Sequence, residues 1–305
     1  MQVRKVPELS IHILVENNAK GPGIMSEHGL SLLINTGGRF TLFDVGQGQV
    51  LPNNAKRLGI NLKDIDQVVL SHGHFDHSAG IMCLKRDNPY EKKIKLYAHE
   101  DAFMEKYFLD AFHSFSSTKY TKDGVEKMWM CGIPNSKEEL EANGFEIKYT
   151  NEPTAIEPGL IISGEVPRIE EIPYPRFFVD NNGKWEEDKL RDDQFILANT
   201  EFGWVLILGC NHADMVNTIP YATKLTNGEK IKAVIGGMHL EERDTEKLAA
   251  RSKIMREAGI EYVIPLHCVG FYARCFFAQE FKDKYFEAKT GIKYVFTPEG
   301  IKVVM

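Results

Sequence analysis

Residues 66–77 read Asp66-Gln67-Val68-Val69-Leu70-Ser71-His72-Gly73-His74-Phe75-Asp76-His77. A short apolar run rich in β-branched residues predicts a buried strand. It runs straight into three of the chain's ten histidines and an aspartate. Side chains two residues apart on an extended strand exit share a face, so His72 and His74 can aim at one point. Asp76 and His77 fall at the turn into a helix and can aim at a second point nearby. Neutral imidazole is a common ligand of zinc, iron and manganese, and carboxylate suits harder ions. The plainer alternative is a polar loop that happens to hold histidines. The density of ligand-type groups in six residues weighs against it.

The pattern recurs further along. WVLILGCN meets His212, KAVIGGM meets His239 and YVIPL meets His267. In open α/β sheets the carboxyl ends of the strands carry the ligand site. Imidazoles delivered to that edge from several strands make a metal centre the first hypothesis. His239 follows two glycines, which allow a ligand close approach, and reads as a substrate-binding or proton-shuttling group; the alternative is a buried histidine bonded to a loop. His28 precedes an apolar strand and is a second candidate for contact with substrate. His12, His99 and His113 read as structural. Asp44, in Asp44-Val45-Gly46 at another strand end, reads as a carboxylate that orients the metal loop by hydrogen bonds.

The flanking sequence supplies the frame. Residues 10–50 alternate apolar and polar with a Gly37-Gly38 turn, predicting hairpin strands. Helices are expected over about 51–60, 214–225, 244–258 and 275–289, with a short one at KEELEANG closed by glycine. Two stretches, near 101–150 and 164–190, lose clean periodicity while keeping many aromatics. Long irregular connections in a compact domain are usually lids or disordered, and disordered segments lack aromatics. Both stretches, 101–135 and 164–190 above all, are therefore expected as lid-type insertions over the metal edge. Their aromatics would stack on a flat ligand, unless they are ordinary core.

With 305 residues, 43% of them hydrophobic, the chain has ample core for a single large domain spanning 1–305. A net charge of −6 gives no basic footprint for nucleic acid. No apolar run approaches the roughly 18 residues of a membrane span. MQVRKVPELS has no apolar signal core behind it, so a cytoplasmic location is expected. The cysteines (Cys83, Cys131, Cys210, Cys268 and Cys275) form no CxxC pair and read as reduced thiols, mostly in the core. Cys210 and Cys268 stand out because each lies beside a strand-end histidine. No glycine-rich nucleotide loop occurs.

HGHFDH fits the HxHxDH signature of the metallo-β-lactamase superfamily, and the chain resembles that family over most of its length. Asp44-Val45-Gly46, the hairpin ending at Gly209, and Pro265-Leu266-His267 match its further motifs in the right order. The resemblance implies an α/β fold of the αββα four-layer type with a binuclear centre along one edge. It implies His72, His74 and His212 around one ion, and Asp76, His77 and His267 around the second. Two divalent ions are expected, zinc first, with iron or manganese as alternatives. One departure matters. The usual histidine before the second-half hairpin is missing, since Arg191-Asp192-Asp193-Gln194 stands there. The usual bridging aspartate after it is replaced by Cys210-Asn211-His212. Cys210, Asp193 or a water are the candidates for that bridge.

The combination of Asp192-Asp193, Gly-Cys-Asn-His-Ala, Gly-Gly-Met-His-Leu and Pro-Leu-His-Cys is similar to the branch that contains the archaeal dihydropterin-ribofuranosylaminobenzene 5'-phosphate synthase. The expected function is a metal-dependent hydrolase acting on a phosphorylated or ester-type small molecule, with Asp76 and His239 as catalytic groups. The alternative is a transferase of the synthase type. A diiron redox enzyme fits less well, because flavin-partnered members carry a glutamate where this chain has His74. One fold hosts many chemistries, so the site must decide.

Overall fold

Period-two alternation along the strands sorts their side chains into separate apolar layers. The structure, a computed structural model, describes residues 4–85, 93–109, 128–173, 176–181, 183–240 and 243–304. Its first sheet holds β1 (Leu9–Val15), β2 (Ser31–Asn35), β3 (Phe40–Phe43), β4 (Gln67–Val69), β5 (Ile94–Ala98), β8 (Phe145–Tyr149), β17 (Lys293–Thr297) and β18 (Gly300–Val304). Their spatial order is β18-β17-β1-β2-β3-β4-β5-β8. The second sheet holds β9 (Thr154–Glu157), β10 (Leu160–Ile162), β13 (Ile196–Asn199), β14 (Trp204–Leu208), β15 (Ile231–Gly236) and β16 (Tyr262–Pro265), ordered β16-β15-β14-β13-β10-β9.

Ile11, Ile13, Leu32, Ile34 and Phe43 of the first sheet meet Ile196, Ala198, Val205, Ile207, Ala233 and Ile235 of the second in one buried cluster. The alternate residues face outward. Leu197, Leu206 and Val234 pack under α4 (Asp214–Leu225), α5 (Thr245–Glu257) and α6 (Phe271–Phe281). Leu33, Leu42, Val68 and Leu96 pack under α1 (Leu51–Arg57) and α3 (Lys137–Ala142). The layers run α–β–β–α, as expected. Each fully buried Ile, Leu or Phe in them contributes about 1.5–3 kcal/mol.

Helix limits follow local chemistry. Ser136 and Glu139 form a capping box at the start of α3. The Asp244 carboxylate accepts the Glu246 and Lys247 N–H groups at the start of α5. The last helix departs from expectation: it spans Phe271–Phe281 and stops where Lys282 takes a positive φ of 49°.

The two aromatic-rich stretches also depart from expectation. They contain strands β6 (Lys106–Leu109), β7 (Met128–Met130), β11 (Phe177–Asn181) and β12 (Lys184–Glu187), which form a third sheet ordered β12-β11-β6-β7. Phe108 pairs with both Phe177 and Trp129. The β6–β11 pairing joins segments remote in sequence, which no local pattern announces. Residues 110–127, including His113, lie outside the described residues.

The connectivity positions the site. Strands β3, β4, β5 and β8 are mutually parallel, as are β14, β15 and β16. Parallel strands put their carboxyl ends at one edge. Asp44, Ser71–His77, Cys210–His212, His239 and His267 all lie just beyond such ends, with Asp76 and His77 on the one-turn helix α2 (Phe75–Ser78). Among the described residues, no helix is long and apolar enough to cross a membrane.

Candidate metal centre

The loop after β4 is pressed into a narrow space. A Cβ on Gly73 would stand 2.2 Å from the Ala102 carbonyl oxygen, and one on Gly209 would stand 2.1 Å from Ser71 Oγ. Gly209 lets the turn after β14 approach the histidine loop, and Gly73 lets that loop pack against the Ala102 backbone. Asp44, Asn211, His239 and His267 have φ of 59°, 58°, 47° and 55°. Left-handed backbone at a residue other than glycine is strained, and such strain clusters at functional sites.

The Asp44 carboxylate, fully buried, organises the loop. Oδ1 accepts the Ser71 N–H at 2.7 Å, and Oδ2 accepts the Ser71 hydroxyl at 2.7 Å. Oδ2 also lies 2.7 Å from His77 Nδ1. These partners assign the tautomers. The Ser71 hydroxyl proton is committed to Asp44, so Ser71 Oγ accepts from His72 Nδ1 at 2.9 Å. His77 likewise donates through Nδ1. His267 Nδ1 faces Asn17 Oδ1 at 3.1 Å, and that oxygen also accepts the Gly29 N–H at 3.2 Å. With Nδ1 engaged in each ring, the Nε2 atoms of His72, His77 and His267 are left for other partners.

His77 Nε2 and His267 Nε2 then meet at 3.0 Å, and His72 Nε2 meets His74 Nδ1 at 2.9 Å. Facing lone pairs repel unless a proton or a cation stands between them. Two nitrogens about 2.0–2.1 Å from a tetrahedral zinc are roughly 3.3 Å apart, so the spacing suits a shared ion. Burial lowers His74 to about 3 and holds His72 and His212 well below the usual imidazole range, which keeps these rings neutral. Burial pushes the Asp76 carboxyl up, but His77, His267 and His28 outweigh it and hold it well below the carboxylate range. The residues fit a divalent metal pair.

The structure gathers every nominated residue at this edge. The His72, His74 and His212 rings lie 4.5–5.1 Å apart, centre to centre. Asp76 Oδ2 is 3.4 Å from His267 Nε2, 3.6 Å from His77 Nε2 and 3.2 Å from His28 Nε2. His239 sits beside His212 with ring centres 4.6 Å apart. Among the described residues, the sets with ligand atoms mutually within 4.8 Å include His72–Cys210–His212, His77–Cys210–His267 and His28–Asp76–His267. Asp193 is in none of them; its Oδ2 accepts the Ala213 N–H at 2.7 Å. His99 caps a short turn by accepting the Asp101 N–H, and His12 lies within β1.

The supporting groups were less visible in the sequence. Glu16, buried, accepts the His267 N–H at 3.0 Å and an Arg274 N–H at 2.8 Å. Asp192 accepts the Gly73 N–H at 2.8 Å through Oδ2, while its Oδ1 is 3.1 Å from Lys106 Nζ. Lys106 Nζ also lies 2.6 Å from Asp188, and the lysine is 1% exposed. Burial pushes Asp192 up, but the Lys106 ammonium more than compensates and holds it below its usual value. A strand of the third sheet is thus tied to the histidine loop.

Above the ligand edge is a cavity of about 480 Å³ lined by His28, His74, Asp76, His212, His239 and His267 on one side, and by Phe75, Phe108, Trp129, Arg176 and Phe177 on the other. Phe177 stacks on His74 at 4.6 Å. A cavity of this size suits a small molecule.

This fold and histidine edge define a class. The chain belongs to the metallo-beta-lactamase superfamily, whose family model matches residues 27–223. It is 28% identical to the 7,8-dihydropterin-6-methyl-4-(beta-D-ribofuranosyl)-aminobenzene-5'-phosphate synthase of Methanocaldococcus jannaschii, over 95% of this chain and 98% of that protein. An uncharacterized protein of the same organism, MJ0448, is 31% identical over 86% of this chain and 91% of its own length. Among solved structures, Tm1679, a metal-dependent hydrolase of the beta-lactamase superfamily, superposes with a TM-score of 0.76 at 29% identity, covering 93% of this chain and 98% of that one.

Proposed function

We propose that this protein is a metal-dependent hydrolase acting on a small, phosphorylated, flat molecule through two divalent ions. His72, His74 and His212 would hold the first ion, and Asp76, His77 and His267 the second, zinc being the best match for this imidazole-rich set. Bound there, the ions would lower the pKa of a water and polarise a phosphoryl or ester oxygen. The observation that carries this reading is the pairing of that ligand edge with an aromatic wall holding one arginine.

The protein's own groups would do the rest. Phe108, Trp129 and Phe177 offer ring faces and edges to a planar group, so the third sheet would act as the lid of the site. Arg176 can hold a phosphate by paired N–H donors. Asp76 would orient the attacking water by accepting its hydrogen bond. His239, half-buried at the cavity edge, is placed to give a proton to the leaving group. The substrate would be a free small molecule rather than nucleic acid, in line with the net charge of −6, and the protein would act in the cytoplasm.

A transferase of the synthase type is the second reading. The similarity to the methanogen synthase and the aromatic wall with Arg176 favour it. There the centre would bind a phosphate or diphosphate end while carbon chemistry occurs at the planar group. The test is the ratio of kcat/KM for a generic aryl phosphodiester to that for pterin-type phosphates, on protein of known metal content. Slow turnover of the generic ester and much better turnover or binding of the pterin phosphates is expected. The plain hydrolase reading wins if the generic ester reaches about 10⁴ M⁻¹s⁻¹ and pterin phosphates neither react nor compete.

A further inference from the structure

We infer that the Cys210 thiolate bridges the two ions, one on His72 and His212 and the other on His77 and His267. The inference rests on the metal-dependent reading above and goes beyond it by assigning the bridging atom. Cys210 is common to two ligand sets among the described residues, one with His72 and His212 and the other with His77 and His267, the imidazoles assigned to the two different ions. Its Sγ stands 3.2 Å from His77 Nε2, and the residue is 5% exposed. Asp193, the other protein candidate for the bridge, has its Oδ2 engaged by the Ala213 N–H at 2.7 Å.

Local structure explains how the thiol reaches this position. The close packing of Gly209 on Ser71 brings the end of β14 against the Asp44-bound loop. Asn211, at positive φ, then turns the chain between Cys210 and His212. The Asn211 side chain is held by Thr218 Oγ1, so the turn is fixed from the helix side. Cys268, the neighbouring thiol, is used differently: its Sγ accepts the His239 N–H at 3.3 Å, and it belongs to no ligand set.

Bridging converts the Cys210 thiol to a thiolate. The S–H bond is exchanged for two sulfur–metal bonds, and the proton leaves to solvent. A thiolate among imidazoles favours zinc or iron over magnesium or calcium.

Cobalt(II) titration of the metal-free protein tests this. Thiolate ligation to cobalt gives an intense near-ultraviolet charge-transfer band. The band should grow with the first equivalent and grow again with the second. Cys210→Ser should lose it and bind the second ion about 100-fold more weakly, whereas Cys268→Ser should keep it. Cys210→Asp should recover two-ion binding without the band. A band that saturates at one equivalent makes the thiolate a terminal ligand and overturns the bridge. A band that survives in Cys210→Ser and vanishes in Cys268→Ser assigns the wrong thiol. Two bound ions with no band in the wild-type protein overturn the bridge but leave the metal-dependent reading standing. Failure of the wild-type protein to bind metal removes both.

Discussion

Replacing Lys106 by methionine keeps most of the stem and removes the charge. The ammonium is shared between two carboxylates at 2.6 and 3.1 Å, with Asp188 6% exposed and Asp192 fully buried. Removing one partner of a buried ion pair costs about 3–5 kcal/mol. Two carboxylates are stranded here, but one can take up a proton, so the cost stays in that range. With a urea m-value of about 3 kcal/mol/M for a chain of this size, the midpoint should fall by roughly 1–2 M. The assay is urea unfolding in chelator, so that metal binding does not add to stability. The deficit should shrink as pH falls. In the variant, the stranded carboxyls have folded pKa values above their unfolded ones, so the folded state takes up protons first and gains stability toward acid pH. Adding Asp188→Asn should restore more than half of the loss, because Asp192 still accepts the Gly73 N–H. A midpoint shift below about 0.3 M, equivalent to about 1 kcal/mol, would refute the reasoning.

His74→Ala should strip most of the bound metal or abolish activity; elemental analysis showing full metal content with an unchanged rate would sink the ligand assignment. Arg176→Ala should raise KM for a phosphorylated planar substrate by about 10- to 100-fold, the value of a lost charge-assisted hydrogen bond, and leave an uncharged ester unaffected; equal effects on both would argue against phosphate binding. Burial lowers His12 to about 4, so its unfolded form takes up a proton first as pH falls below about 6.5. Stability should drop between about pH 6.5 and 4, by about 2 kcal/mol after discounting for partial exposure. In chelator His12→Phe should lessen the drop across that window by about 2 kcal/mol, the buried His72, His74 and His212 supplying the rest, and superimposable pH profiles of the two proteins would count against it.

The histidine-bearing edge was legible because each ligand follows an apolar run, and parallel strands bring their carboxyl ends together. The competition among Cys210, Asp193 and water was not. Its outcome depends on where the turn after β14 lands against Ser71 and on which carboxylate oxygen the Ala213 N–H occupies. Lys106 was hidden for a different reason. It sits in an aromatic-rich stretch, and its partners Asp188 and Asp192 lie 82 and 86 residues away. The third sheet escaped notice because β6 and β11 pair across a long separation. Asn17 and Glu16 gave only a faint signal, as polar residues immediately beyond β1.

The four strained strand ends set the needs of the fold against those of the site. At Asp44, Asn211, His239 and His267 the backbone would relax if glycine stood there, yet three of the four carry a side chain that the site uses directly or through one bond. Selection for heat tolerance alone would push these positions toward glycine, and the first substitutions to raise the melting temperature would also be among those that empty the cavity edge of its working groups. A stability screen of this protein therefore needs a metal-binding readout run alongside it, or its most robust variants will be its least competent ones.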